Sequence, residues 1–182
     1  MAQAVSSRTL AEPTVAYIIL QSTPSRVINH VAVSVADIDA VVSWYRKIMG
    51  FQLIGNKIHS IQRSETPDAA IFGIYPESLH DVKIAYMSTG NGVGFEIFEF
   101  VNPSHTQPEK HFEYNRGGFF HVCVTDHDPE SLVERVVQAG GKRVGKMVRL
   151  VDDIKCVYVA DPWGNVLEIL DTSFERLATA SA

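Results

Sequence analysis

The strongest constraint on this chain is an internal duplication. Displacing the sequence by 91 positions sets His30 on His121, Val31 on Val122, Val33 on Val124, Asp37 on Asp128, Val42 on Val133 and Gly50 on Gly141. A displacement of 72 lays "KIAYMSTGNGVGFEIF" over "KCVYVADPWGNVLEIL", so that Lys83 meets Lys155, Tyr86 meets Tyr158, Glu96 meets Glu168 and Ile97 meets Ile169. The displacements differ by 19, which places extra residues in the first copy, within 51–82. Their proline and polar content suits a loop. A chain written twice predicts two like units, neither of which buries its apolar face alone.

Each copy opens on a strand and a helix. "VINHVAVSV" alternates in strand fashion, and "DIDAVVSWYRKIMG" follows with helical spacing, Asp37 as N-cap and Gly50 as terminator. "HVCVTD" and "DPESLVERVVQAGG" repeat this, with Asp128 as cap, Pro129 at the first helical position and Gly140-Gly141 at the stop. A short meander of strands then closes each copy at a hairpin, turned by "TGNG" or "DPWGN". The expected organisation is an extension over 1–26, module one over 27–100, a linker over 101–117, module two over 118–171 and a tail over 172–182.

Two residue types repeat that packing does not require. His30 shares a strand face with Ala32 and Ser34, while Val31, Val33 and Val35 point the other way. His121 likewise shares a face with Cys123 and Thr125. Glu96 and Glu168 sit among Phe95, Ile97, Leu167 and Ile169, where an uncompensated carboxylate is costly. Taken singly, each of the four reads as structural. As a symmetric pair of pairs, His30, Glu96, His121 and Glu168 suit one divalent cation.

Composition narrows the alternatives. A net charge of −5 and a pI near 5.8 argue against a nucleic-acid partner. No apolar run approaches the roughly 20 residues of a membrane span, and "TVAYIIL" makes a poor signal peptide. Cys123 and Cys156 cannot build a disulfide framework, so a cytoplasmic protein is expected.

"INHVAVSVADIDAVVSWYRKIMGF" and "YVADPWGNVLEIL" resemble the opening and closing signatures of the vicinal oxygen chelate superfamily, which includes glyoxalase I, methylmalonyl-CoA epimerase, extradiol dioxygenases and metal-dependent resistance proteins. The resemblance covers residues 27–171. It implies an α+β fold in which two repeated βαβββ modules form a cup-shaped mixed sheet around a metal site. His30, Glu96, His121 and Glu168 fall on the four ligand positions for one nickel, cobalt, zinc, manganese or iron ion. A homodimer is expected, with the cup formed within one chain or by exchange of modules between two. The insert at 51–82 lies where substrate-facing loops belong, which sets glutathione aside as the expected substrate.

Other residues carry lesser roles. Phe98 and Phe100 share the face of Glu96 and are candidates to line a substrate pocket; Cys123 points into the cup, and Arg149 is a candidate partner for a substrate carboxylate. Glu99 lies on the opposite face from Glu96 and reads as a non-ligand, and Trp44 and Tyr45 read as core. His59, His80, His105, His111 and His127 fall in loops or at element ends.

The favoured activity is that of a glyoxalase-like isomerase, epimerase or lyase working on a small oxygenated substrate through a metal-stabilised enolate. A glutamate ligand moves the proton, Glu168 before Glu96 because it follows the tight "DPWGN" turn. A dioxygenase, which wants two histidines, one carboxylate and open positions, is the main alternative. A non-catalytic binding protein of the resistance type is the other.

Overall fold

The computed structural model describes residues 25–109 and 112–181. Module one runs β1 (His30–Ser34), α1 (Ile38–Ile48), β2 (Gln52–Gln62), α2 (Ile71–Ile74), β3 (Asp81–Ser88) and β4 (Gly94–Asn102). Module two runs β5 (Val122–Thr125), α3 (Pro129–Gln138), β6 (Lys142–Arg149), β7 (Lys155–Ala160) and β8 (Val166–Leu170), followed by α4 (Phe174–Ala180). Each module makes one sheet, in the orders β1-β4-β3-β2 and β5-β8-β7-β6. The first strand pairs parallel with the last, and the remaining pairs are antiparallel. The duplication read from the sequence is therefore a duplication of topology, and the α+β class and βαβββ modules stand.

The helices form where the caps place them. Asp37 accepts from Ala40 N at 3.0 Å, and Glu99 from the neighbouring module-one strand accepts from Ile38 N at 2.9 Å, satisfying two amide groups at the start of α1. Asp128 does the same for Ser131 N in α3 at 3.2 Å. α3 stops at Gly140, whose φ is +87°, and Gly141 then backs onto the carbonyl of Ala160. A Cβ at Gly141 would meet that oxygen at 2.6 Å, so only glycine allows the approach.

One apolar core joins the modules. Ile38, Val41, Trp44, Tyr45 and Ile48 of α1 share it with Leu132, Val133 and Val136 of α3, and the inward faces of both sheets close it. Trp44 donates from Nε1 to the carbonyl of Ala139 at 3.0 Å, and its ring meets Trp163 edge-on. The helices and the valine side of each sheet thus point inward, and the histidine side of each sheet points out. The two sheets stay separate, each ending on an unpaired first strand, β1 or β5. Within the chain the two four-stranded sheets are not closed into one barrel.

Each outer face is partly covered at one end. The excess residues of module one lengthen β2 and then fold over the sheet: Ile71, Phe72 and Leu79 bury themselves against Val82 and Ile84. Arg63 fastens this segment, donating to the carbonyl of Leu79 at 2.7 Å and lying 4.2 Å over the Phe72 ring. In module two the expected tail folds as α4, and Leu177 and Ala180 pack on Ile154, Cys156 and Leu170. The linker begins later than expected, since β4 continues to Asn102. Residues 1–24 of the expected extension, and His111, lie outside the described residues.

Candidate metal centre

The alternation of β1 and the parallel register of β4 bring two distant residues together. Ala32 stands opposite Glu96, so His30, two residues earlier on the same face, reaches the carboxylate diagonally. Its Nε2 lies 3.3 Å from Glu96 Oε2. Nδ1 is 2.9 Å from Asn29 Oδ1, and a proton donated there leaves the Nε2 lone pair facing the glutamate. The second module repeats the arrangement. His121 Nε2 lies 3.3 Å from Glu168 Oε2, although His121 itself falls just ahead of β5. His121 Nδ1 is buried with no hydrogen-bond partner.

A spacing of 3.3 Å suits two donor atoms on one cation, since ligands about 2.1 Å from a tetrahedral or octahedral metal stand roughly 3.0–3.4 Å apart. The donor set, neutral imidazole plus carboxylate, also suits a borderline divalent ion. The two pairs remain apart within the chain. Among the described residues no group of three or more His, Cys, Asp or Glu side chains converges as a metal site.

Around Glu168 the neighbours are unusual for a carboxylate. Cys156 donates from Sγ to Oε1 at 3.1 Å, and Tyr158 stands directly opposite across the β7–β8 ladder. The Cys156 thiol is pushed up to about 12, by burial first and by its bond to Glu168 second. The Tyr158 hydroxyl and the Cys123 thiol are likewise raised to about 12, again by desolvation first and the Glu168 charge second. Burial and the Glu168 charge thus favour the protonated form of all three. Glu96 has Ile84, not a thiol, at the position repeated by Cys156.

The remaining candidates sort by register. Phe98 and Phe100 lie on the Glu96 face with rings nearly parallel at 11° and 5.7 Å apart. Arg149 stands opposite Lys155 on the helix side of its sheet and pairs with Asp153 at 3.1 Å, so it faces away from the histidine side. Glu99 accepts from Lys83 Nζ at 2.8 Å and from Ile38 N of α1 at 2.9 Å.

Two histidines have more structure around them than their loop-like settings suggested. His59 lies within β2, opposite Ile84, with its ring edge-on to Tyr86 at 5.7 Å. The long apolar-polar alternation of β2 was the signal for this, obscured by the glycine and asparagine of its bulge. His105 in the linker places Nδ1 3.0 Å from Ser34 Oγ, and its Nε2 is buried without a partner. A cavity of about 820 Å³ opens beside it, lined by Ala32, Ser34, Arg116, Phe120 and His121. No helix among the described residues is long and apolar enough to cross a membrane.

This combination defines a class: paired βαβββ modules, each presenting a first-strand histidine beside a last-strand glutamate. The family profile of the Glyoxalase/Bleomycin resistance protein/Dioxygenase superfamily matches residues 27–169, and the chain belongs to that superfamily. Among curated proteins it resembles a 2-epi-5-epi-valiolone epimerase from Actinomyces sp., 23% identical over 149 residues, covering 79% of this chain and 78% of that protein. A glyoxalase family protein from Bacillus cereus shares the fold with a TM-score of 0.65 at 20% identity, over 84% of this chain and 97% of that one. A fosfomycin resistance protein from Listeria monocytogenes, solved with Mn(II) and 1S,2S-dihydroxypropylphosphonic acid, gives a TM-score of 0.54 at 13% identity, over 84% and 98% of the two chains.

Proposed function

We propose that this protein is a divalent-metal-dependent isomerase, epimerase or lyase acting on a small molecule with two adjacent oxygens. The reading is carried by the repeated Nε2–Oε2 pair, at 3.3 Å in both modules. His30, Glu96, His121 and Glu168 would hold the cation. Bound there, it would supply Lewis acidity toward the substrate's oxygens and so acidify the adjacent C–H. The imidazoles serve as fixed neutral donors. With the cation bound, Glu168 before Glu96 would take the proton from the adjacent carbon as general base. The similarity to an epimerase over most of the chain agrees with this chemistry. A dioxygenase asks for one carboxylate and open positions, which a second glutamate would crowd.

The two halves of the site meet in a homodimer. β1 and β5 are unpaired edges, which proteins normally cover. The segments leading into them expose Val27, Ile28 and Phe119, at 88%, 70% and 108%. Setting β1 of one protomer beside β5 of its partner would cover both edges and bring each His30–Glu96 pair to a His121–Glu168 pair.

The direct experiment is elemental analysis after incubation with nickel, cobalt, zinc or manganese and removal of excess ion. One equivalent per chain is expected, falling at least tenfold in a His30→Ala, His121→Ala double variant. Protein that stays metal-free sinks the reading.

A further inference from the structure

The two modules differ at one position on the histidine side of their sheets. Ile84 of β3 and Cys156 of β7 occupy the same place in the repeat, and both are buried, at 3% and 5% exposure. Ile84 packs under the insert with Phe72 and Leu79, while Cys156 packs with Ile154 and Leu170 under Leu177 and Ala180 of α4. A thiol packs as a small hydrophobe, but it also brings a donor, which isoleucine lacks. Cys156 stands opposite Leu170 in the β7–β8 register, two residues along from Glu168 and on its face. Its Sγ lies 3.1 Å from Glu168 Oε1, while Glu168 Oε2 faces His121 Nε2 at 3.3 Å. Glu96 makes the matching contact to His30, but the Ile84 side chain has no hydrogen to donate to it. α4 is itself tied to the sheet. Thr125 Oγ1 of β5 donates to the carbonyl of Thr172 at 3.2 Å, and Ser173 Oγ caps the helix by accepting from Arg176 N at 3.3 Å.

We propose that Cys156 is a positioning residue for Glu168, held in place by α4 and acting through the carboxylate on the metal centre. This rests on the proposed metal reading and adds to it a difference between the two halves. The terminal torsion of a glutamate is broad, so a carboxylate with a single partner swings about its Cγ–Cδ bond. A thiol bond to Oε1 removes that freedom and leaves Oε2 turned toward His121 Nε2. A bond of this kind behind a ligand orients it for the cation and strengthens the hold on the ion. With Leu177 and Ala180 over its cluster, Cys156 is shielded from competing water and donates to Glu168 instead. The C-terminal helix thereby reaches the metal centre without contributing a ligand.

The test sets two substitutions against each other. Cys156→Val keeps an apolar side chain under α4 and removes the donor; Cys156→Ser keeps a donor and gives up apolar packing. Each protein is loaded with nickel, and release of the ion into excess chelator is timed. Release from Cys156→Val is expected to be about tenfold faster than from the parent, and from Cys156→Ser within about twofold of it. Leu177→Ala, which loosens α4, should speed release in the parent and add nothing in Cys156→Val. A residue that only packs gives the opposite order, with Val like the parent and Ser faster. That order, or equal release from all three, overturns the positioning role and leaves the metal reading standing. Additive effects of Leu177→Ala and Cys156→Val overturn the part given to α4. A second measurement needs no metal. Subtracting the infrared spectrum of Cys156→Ser from that of the parent isolates the Cys156 S–H stretching band. It should lie at the low frequency of a bonded thiol and rise in Glu168→Ala; a band that ignores Glu168→Ala overturns the proposal. Protein that takes up no nickel yet shows this shift keeps the thiol's hold on Glu168 and loses the metal reading.

Discussion

Tyr45 on α1 donates its hydroxyl hydrogen to Oδ2 of Asp161, 3.0 Å away, and this bond joins the helix of the first module to the hairpin turn of the second. Tyr45 is fully buried and Asp161 is 2% exposed. The aspartate also accepts from Trp163 N, Asn165 N and Asn165 Nδ2, so one carboxylate both shapes the turn and anchors it to the neighbouring module.

Tyr45→Phe should therefore cost about 1–2 kcal/mol, one buried bond to a charged acceptor. Asp161→Ala, which strands several donors, should cost about 3 kcal/mol or more. Burial first, and the Asp161 charge second, hold the Tyr45 hydroxyl well above its ordinary value. The folded state thus keeps a proton that the unfolded state gives up near pH 10. The associated stability is complete below pH 10 and is lost as pH rises beyond it. Urea midpoints at pH 8 and pH 10.5 should fall less with pH in Tyr45→Phe than in the parent.

If each metal centre is shared between protomers, His30→Ala and His121→Ala should complement each other. Each variant alone spoils both centres of its dimer. Co-refolded in equal amounts, half of the dimers are mixed and each mixed dimer carries one intact centre, restoring about a quarter of the parent metal content. No recovery would show that the two modules of one chain meet each other.

Glu168→Gln keeps the shape and one oxygen donor while removing most of the basicity. It should retain measurable metal and lose about two to four orders of magnitude in turnover, the usual range for a general base. Glu96→Gln, measured alongside on the same substrate, should lose less. Full turnover in metal-loaded Glu168→Gln passes the role to Glu96.

The insert is held by its own small core. Phe72 is 8% exposed between Arg63 and the sheet. Phe72→Ala should cost about 3–5 kcal/mol of local stability. Hydrogen exchange should rise over residues 63–80 first, with the first half of β1 protected as before.

The sequence by itself determined the modules. Strand alternation, helix caps and terminating glycines are local signals, and their recurrence at fixed displacement was enough to read βαβββ twice. It also marked His30, Glu96, His121 and Glu168 as repeated, while the parallel β1–β4 and β5–β8 registers that set each histidine beside its glutamate came from the structure. Placing Arg149 needed the β6–β7 register, which sets it opposite Lys155 on the helix side of the sheet, and long-range register is not written in local composition. His59 reads as a loop or end residue because a bulge interrupts β2, shifting its register between Leu53 and Ile58, and a bulge has no sure mark in composition. Only the tertiary structure decided how the modules meet. The apolar stripes of α1 and α3 could equally have faced two separate partners; they pair with each other because Trp44 finds Ala139 and Tyr45 finds Asp161, 95 and 116 positions away. That choice is one of shape and buried hydrogen bonding over long range. It leaves β1 and β5 as open edges, with one histidine–glutamate pair beside each.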